Sequence, residues 1–236
     1  MKPRDQVLRV WGEFACFSEI KAERFSYPVI TPSAARGIYD AIYCKPNRDP
    51  TQAQCRWQVT RIDVLALPSY IALRRNEVGK KAPSERTVLS WMAGTVDVSP
   101  IIADEDRQQR QTMALRNVAY VLHAEIRPWP GFEERLSSFE AQFRRRAARG
   151  QCVWQPYLGC REFPAYFELL EPNAPAPEPA SWSADLGFML YDVFDLSRPG
   201  TPDSPWQPSL FRAVVHDGVL VVPDYDSDQV LKVGEA

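Results

Sequence analysis

Four arginines in six residues, Arg144, Arg145, Arg146 and Arg149, followed by Gly150, form the densest group of chemically competent side chains in this sequence. A guanidinium presents a planar fork of donors that matches phosphate oxygens. The run closes a helical pattern, where cations also interact well with the helix dipole. Four exceed what a dipole needs, so the expected role is a phosphate-binding patch leading into a glycine-containing loop. Smaller basic groups accompany it: Lys21, Arg24 and Arg36, with Lys45 and Arg48 beyond, then Arg74-Arg75 followed by Lys80-Lys81. Each alone is what a solvated surface carries; together they point to RNA. Phe25, Tyr27, Tyr39, Tyr43, Trp154 and Tyr157 interleave with these cations and are the candidates for stacking on unpaired bases. Tyr43 is the best placed, beside Cys44-Lys45-Pro46 at the end of a helical pattern.

Acid–base candidates are few. His123 lies near Glu125 in a strand pattern, and His216 sits next to Asp217; a structural role is the simpler account of each. No nucleophile elbow, Walker loop or Rossmann glycine pattern occurs. Asp224, Asp226 and Asp228 alternate without the glycine and terminal glutamate of a calcium loop, which reads as a solvated edge. The five cysteines are odd in number, scattered and free of any C-x-x-C pair. They indicate buried thiols in a reducing cytosol rather than a zinc site or disulfide framework. No metal and no cofactor is expected.

Net charge is −2, which hides an asymmetry. Residues 1–171 hold 25 Lys/Arg against 20 Asp/Glu, and residues 172–236 hold 3 against 10. A polyanion would therefore be bound by the first part, with the acidic remainder turned away. No apolar run approaches the ~18 residues needed to cross a bilayer, and the first residues lack a signal-peptide core. The expectation is a cytoplasmic protein with no membrane partner.

The elements that must position these residues follow from their periodicity. Val7 to Phe17 reads as a first strand. Thr31 caps and Pro32 opens a helix with Ala35, Ile38, Tyr39 and Ile42 at helical spacing, ended by Lys45-Pro46. Trp57 to Leu67 and Tyr70 to Arg75 read as strand, broken at Pro68. Ala114 to Ile126 alternates, with Val118, Tyr120, Leu122, Ala124 and Ile126 on an apolar face and a mixed, open face opposite. Glu133 to Arg149 is a second helix ending at Gly150, and Tyr166 to Leu170 is a further strand. The order β, α, β, β, α, β predicts an α+β chain with an N-terminal ferredoxin-like (RRM-type) domain over residues 1–171. A proline-rich linker follows at 172–185. A small C-terminal antiparallel β-sheet over 186–236 is marked by the hairpin signal Asp217-Gly218.

Several segments carry a family resemblance: Ser26-Tyr27-Pro28-Val29-Ile30-Thr31-Pro32-Ser33-Ala34-Ala35-Arg36-Gly37-Ile38, Ile42-Tyr43-Cys44-Lys45-Pro46, Arg61-Ile62-Asp63-Val64-Leu65 and Arg74-Arg75-Asn76-Glu77-Val78. With Gln111-Thr112 to Val121, Arg149-Gly150-Gln151-Cys152 and Pro156-Tyr157-Leu158-Gly159-Cys160-Arg161-Glu162-Phe163-Pro164 they cover most of the chain. The combination resembles the subtype I-C (Dvulg) CRISPR-associated endoribonuclease of the RAMP superfamily, the Cas five-d group. That resemblance implies metal-independent cutting of precursor CRISPR RNA at the base of each repeat hairpin. The 2′-oxygen attacks the adjacent phosphate, leaving a 2′,3′-cyclic phosphate and a 5′-hydroxyl. It also implies retention on the 5′ end of the guide inside the type I-C surveillance complex, with its other subunits as partners.

The family is associated with a tyrosine after the first helix, matched by Tyr43, and with a Lys-His pair at the start of the second. Here that pair falls on Ser138-Phe139, which supply neither base nor cation. Either the catalytic set is rebuilt, with Tyr43 helped by Lys45 or a nearby arginine, or cutting is weak. The alternative is a non-catalytic subunit that holds the 5′ end of the guide. A third reading is general duplex binding, double-stranded DNA included, through the arginines. His123 is the remaining acid–base candidate.

Overall fold

The computed structural model describes residues 2–18, 24–44, 53–80, 82–171, 175, 177–199 and 205–232. The elements run β1 (Gln6–Ala15), β2 (Arg24–Phe25), α1 (Pro32–Ile42), β3 (Cys55–Val64), β4 (Tyr70–Val78), α2 (Glu85–Met92) and β5 (Arg107–Pro128). A 3-10 turn (Glu133–Arg135) then enters α3 (Leu136–Ala147), followed by β6 (Tyr166–Leu169), β7 (Ala184–Asp192), β8 (Ser209–His216), β9 (Val219–Val221) and β10 (Val230–Lys232). Contacts divide the chain into one unit of Met1–Ile71 with Met113–Ala236 and another of Ala72–Thr112.

The architecture is a large antiparallel sheet with three helices among the described residues. The main strand path is β10-β8-β9-β3-β5-β1-β6. Thr31 accepts from the Ala34 amide as N-cap of α1, and Pro32 occupies the first turn, where its missing N–H costs nothing. Spacing then puts Ala35, Ile38, Tyr39 and Ile42 on one buried face. That face meets Trp57 of β3 and Phe143 of α3: Tyr39 lies 4.8 Å from Trp57 and 5.6 Å from Phe143 between ring centroids. Each such buried side chain contributes about 1.5–3 kcal/mol. The Tyr39 hydroxyl shares its proton between the Gln6 and Leu122 carbonyls, at 2.8 and 2.7 Å, which fastens α1 to β1 and β5.

In β5, Tyr120, Leu122, Ala124 and Ile126 are buried as alternation predicts. The opposite face is less open than expected, because Val121 is also fully buried and the His123 side chain is only 17% exposed. After the proline-rich stretch the strands continue the same sheet, since β9 pairs with β3 through Ile62↔Leu220. Asp217 and Gly218 make the predicted two-residue turn between β8 and β9 with φ of 46° and 77°, a left-handed pair that glycine adopts without strain.

In the unit Ala72–Thr112, Arg74 is exposed on β4, and Glu77 pairs with Arg110 at 3.4 Å. Helix α2 is capped by Ser84 and buries none of its residues.

Candidate functional site

Helix α1 ends at Ile42 because Tyr43 turns to an extended conformation, φ −150° and ψ 107°. Its amide still donates to the Tyr39 carbonyl, while its own carbonyl accepts from the Trp57 indole at 3.0 Å. The C-terminal carbonyls of a helix need outside donors. Arg146 supplies one, its Nε donating to the Ile42 carbonyl at 2.7 Å. Arg135, the N-cap residue of α3, adds a second guanidinium whose charge reaches the Tyr43 ring, as does that of Arg146. Arg135 is oriented by the Gln54 amide oxygen at 2.9 Å and lies over the Phe139 ring at 5.6 Å. Burial outweighs both cations and pushes the Tyr43 phenol up to about 12. At neutral pH it therefore offers an O–H donor and not a phenolate.

A cleft of about 790 Å³ opens beside this helix end, lined by Gly37, Asp40, Ala41 and Cys44 from α1 and its cap, and by Trp154, Gln155, Tyr157 and Arg161 from the loop after α3. The loop is pinned at both ends. The amide of Val153 donates to the Ala41 carbonyl at 2.6 Å, and the Cys16 amide donates to the Leu158 carbonyl at 3.0 Å. Gly159, at φ 83°, sits so close to β1 that a Cβ there would lie 1.9 Å from the Cys16 carbonyl oxygen. Only glycine fits at that contact. Trp154 and Tyr157 are thereby held 59% and 41% exposed at the cleft.

The predicted aromatic contacts separate on this geometry. Tyr27, Tyr39 and Tyr43 are at most 7% exposed and present no free face to a base, so their assignment as stacking residues is corrected. Phe25 stays exposed against Tyr70, and Trp154 and Tyr157 stay exposed at the cleft. The thiols separate too: Cys16 and Cys55 are buried, but Cys44 is exposed.

The predicted cations meet different partners. Arg144 pairs with Glu171, Arg145 donates to the Gln142 amide oxygen, and Arg146 turns to α1. Arg149 is exposed beside Gly150, whose φ of 63° ends the helix. Arg36 is spent on carboxylates, at 2.8 Å from Asp192 and 2.7 Å from Asp40. Arg24 pairs with Glu162 at 2.8 Å. Arg75 is half-buried in β4, beside the exposed Arg74. Lys21 and Lys45, with Arg48 and Lys81, lie outside the described residues.

His123 belongs to a different arrangement. Its Nδ1 is 2.7 Å from Asp5 and its Nε2 3.4 Å from Asp63, which Arg61 holds in a bidentate pair. Burial opposes its charge, but the two carboxylates prevail and raise its pKa to about 9. A doubly paired imidazolium is a poor proton acceptor near neutrality. At the positions of the absent Lys-His pair, Ser138 is exposed and Phe139 is buried in the core. Arg135 was missed in the sequence. It precedes Ser138 by three residues, one helical turn, and that spacing was the available signal. Among the described residues no group of three or more His, Cys, Asp or Glu could hold a metal ion.

Comparison with known proteins gives consistent matches. Residues 7–231 match the Cas_Cas5d family model, described as CRISPR-associated protein (Cas_Cas5). A protein of Mannheimia succiniciproducens named CRISPR pre-crRNA endoribonuclease Cas5d is 38% identical over 231 residues, 94% of this chain and 96% of that protein. One of the same name from Thermus thermophilus is 37% identical over 242 residues, 97% and 95% of the two chains. A solved structure titled Crystal Structure of CRISPR-associated Protein shares the fold, with a TM-score of 0.65 at 19% identity over 98% of both chains.

Proposed function

This chain belongs to the Cas5d family of CRISPR-associated proteins, and from that membership we propose that it is a pre-crRNA endoribonuclease that stays with its product in a surveillance complex. The observation that carries the site assignment is the convergence of Tyr43, Arg135 and Arg146 at the end of α1, next to the aromatic cleft.

The reaction is attack of a ribose 2′-oxygen on the neighbouring phosphate. The 2′ O–H and the P–O5′ bonds break, a P–O2′ bond forms, and the proton ends on the 5′-oxygen. The transition state gathers negative charge on the phosphorane oxygens, and preorganised cations and donors are what stabilise it. Arg135 and Arg146 supply the charge, in place of the lysine of the Lys-His pair. Tyr43, a neutral phenol, donates a hydrogen bond and fixes the strand. No side chain of the set is a strong base near pH 7, so proton removal is left to solvent and the expected rate is modest.

The order β6-β1-β5-β3, with α1 and α3 both packed on Trp57, supports a ferredoxin-like arrangement for the first part of the chain. We place RNA on residues 1–171 and partner subunits on 186–236, across the linker 172–185, in keeping with the charge asymmetry. Among the described residues no helix is long and apolar enough to cross a membrane, and a cytoplasmic location fits this role. A second reading, a subunit that holds the guide without cutting, is favoured by Ser138 and the buried Phe139 where a Lys-His pair would stand.

The test is incubation of the protein with labelled repeat RNA in EDTA beside Tyr43→Phe. One discrete cut with a cyclic-phosphate end, slowed ~100-fold in the variant, supports the enzyme. Tight binding with no cut makes it the holding subunit, and an unaffected Tyr43→Phe removes Tyr43 from the mechanism.

A further inference from the structure

The thiols take no part in the chemistry proposed above, and two of the five stand together. Cys16 follows the last residue of β1, and Cys160 lies 144 residues later, in the loop after α3. Their main chains are already in contact. The Cys16 amide donates to the Leu158 carbonyl at 3.0 Å, and Gly159, next to Cys160, leaves no room for a Cβ against the Cys16 carbonyl. The Cys160 thiol lies 3.7 Å from that same carbonyl oxygen and within hydrogen-bond reach of the Cys16 sulfur. A disulfide has a short reach, with Cα atoms within about 7 Å, so this main-chain contact is what makes the pair bridgeable. The turn that carries Cys160 is also well anchored. Leu158 and Phe163 are buried, Phe163 rests 6.0 Å from Phe14 between ring centroids, and the Leu158 amide donates to the Phe163 carbonyl at 2.8 Å.

The surroundings divide the pair into a nucleophile and its partner. The hydrogen bond with the Cys160 thiol, helped by Ser18 at 3.7 Å and by the charge of Arg24, lowers the Cys16 thiol to about 7 against burial and Glu162. The same contact, together with burial, raises Cys160 and keeps its proton in place. Cys55, by contrast, is pushed up to about 12 by burial. Near neutrality the pair therefore carries one thiolate and one thiol, the combination in which the first attacks an oxidant and the second resolves the product. Cys16 is buried and Cys160 only half-buried, so a small oxidant arrives from the Cys160 side.

We propose that Cys16 and Cys160 are an oxidation-sensitive dithiol, converted by peroxide into a disulfide that staples the loop after α3 to the end of β1. The Cys16 thiolate attacks one peroxide oxygen, the O–O bond breaks, hydroxide leaves and Cys16 becomes a sulfenic acid. The Cys160 sulfur then attacks the Cys16 sulfur. The S–O bond breaks, the S–S bond forms, and the departing oxygen takes the Cys160 proton and leaves as water. Over both steps two thiols lose two electrons and two protons, and the peroxide is reduced to two waters. A thiol reductant reverses the bridge, in keeping with a disulfide that is transient in a reducing compartment. The staple fixes the loop that carries Trp154, Tyr157 and Arg161 at the cleft.

The test takes the full chain, reduced, exposes it to a small excess of hydrogen peroxide and maps its peptides by mass spectrometry without reductant. The expected product is a cross-linked pair of peptides containing Cys16 and Cys160, lighter by two hydrogens than the two together and released by dithiothreitol. Melting temperature should rise by about 5–15 °C on oxidation, because a link that closes so long a loop restricts the unfolded chain, and should fall back on reduction. Cys160→Ser, at the half-buried position, should melt like the reduced parent and show neither the link nor the rise. Cys44→Ser, at the exposed thiol, should keep both. Thiols that stay free, a link between any other two cysteines, sulfinic acid at Cys16 or Cys160 without a link, or a rise that persists in Cys160→Ser would each overturn the proposal.

Discussion

Arg36, a residue of α1, and Arg146, set against the end of α1, are both half-buried guanidiniums, and they have opposite electrostatic outcomes. Arg36 faces Asp192, which is 1% exposed, and Asp40. Its charge is cancelled inside the fold, and it works as a bracket between α1 and β7. Arg146 faces a neutral carbonyl of Ile42. It satisfies a helix end and keeps its full charge beside Tyr43. The lesson is that a count of arginines says little about phosphate binding; what stands across from each one decides it. His123, answered by Asp5 and Asp63, belongs with Arg36.

The largest effect that would test this contrast is on the bracket. Asp192→Ala leaves Arg36 without its buried carboxylate, which should cost about 3–5 kcal/mol, read as a fall in melting temperature. An unchanged melting temperature would mean that Arg36 is as free as Arg146. On the other side, Arg135→Ala should slow cleavage ~100-fold, as losing one preorganised donor to a charged transition state does, while affinity for the hairpin changes little. A parental rate would leave Arg146 as the sole cation at Tyr43.

His123→Gln should destabilise by about 2–3 kcal/mol near neutrality without altering the cleavage rate. The sign follows from a folded pKa of about 9 against an ordinary 6.5. The stabilisation is complete below pH 6.5 and disappears as pH rises through about 9. Denaturation from pH 6 to 10 should show the parent and His123→Gln converging at the alkaline end; parallel curves would refute the imidazolium. The smallest effect belongs to the exposed pair. Arg145→Ala and Arg149→Ala should each lower the salt dependence of RNA binding by about one counterion, with melting temperature unmoved. Steeper losses would make them part of the site and not of its periphery.

Much of the local structure was legible because it depends on neighbours in the chain. Thr31-Pro32 opened α1, the alternation from Tyr120 to Ile126 laid down β5, Gly150 stopped α3 and Asp217-Gly218 turned the hairpin, each where short-range sterics and periodicity require. The family was legible for the same reason, since its motifs are contiguous. Residue type alone also narrowed the chemistry to cations and aromatics acting on RNA.

Which of those residues are buried, paired or left exposed was settled by contacts between distant segments. Six aromatics were stacking candidates in the sequence, with Tyr43 the best placed. The fold buried Tyr27, Tyr39 and Tyr43 and left Phe25, Trp154 and Tyr157 outside, a choice made by packing that no local pattern encodes. Arg36 and Asp192 are 156 residues apart, and Arg146 and Ile42 are 104 apart. Charge and hydrogen-bonding capacity are fixed by the sequence, but whether they are cancelled or kept depends on what folding places within about 3 Å. The cleft arises in the same way: Gly37 and Tyr157 line it together only because the loop after α3 is carried back onto α1.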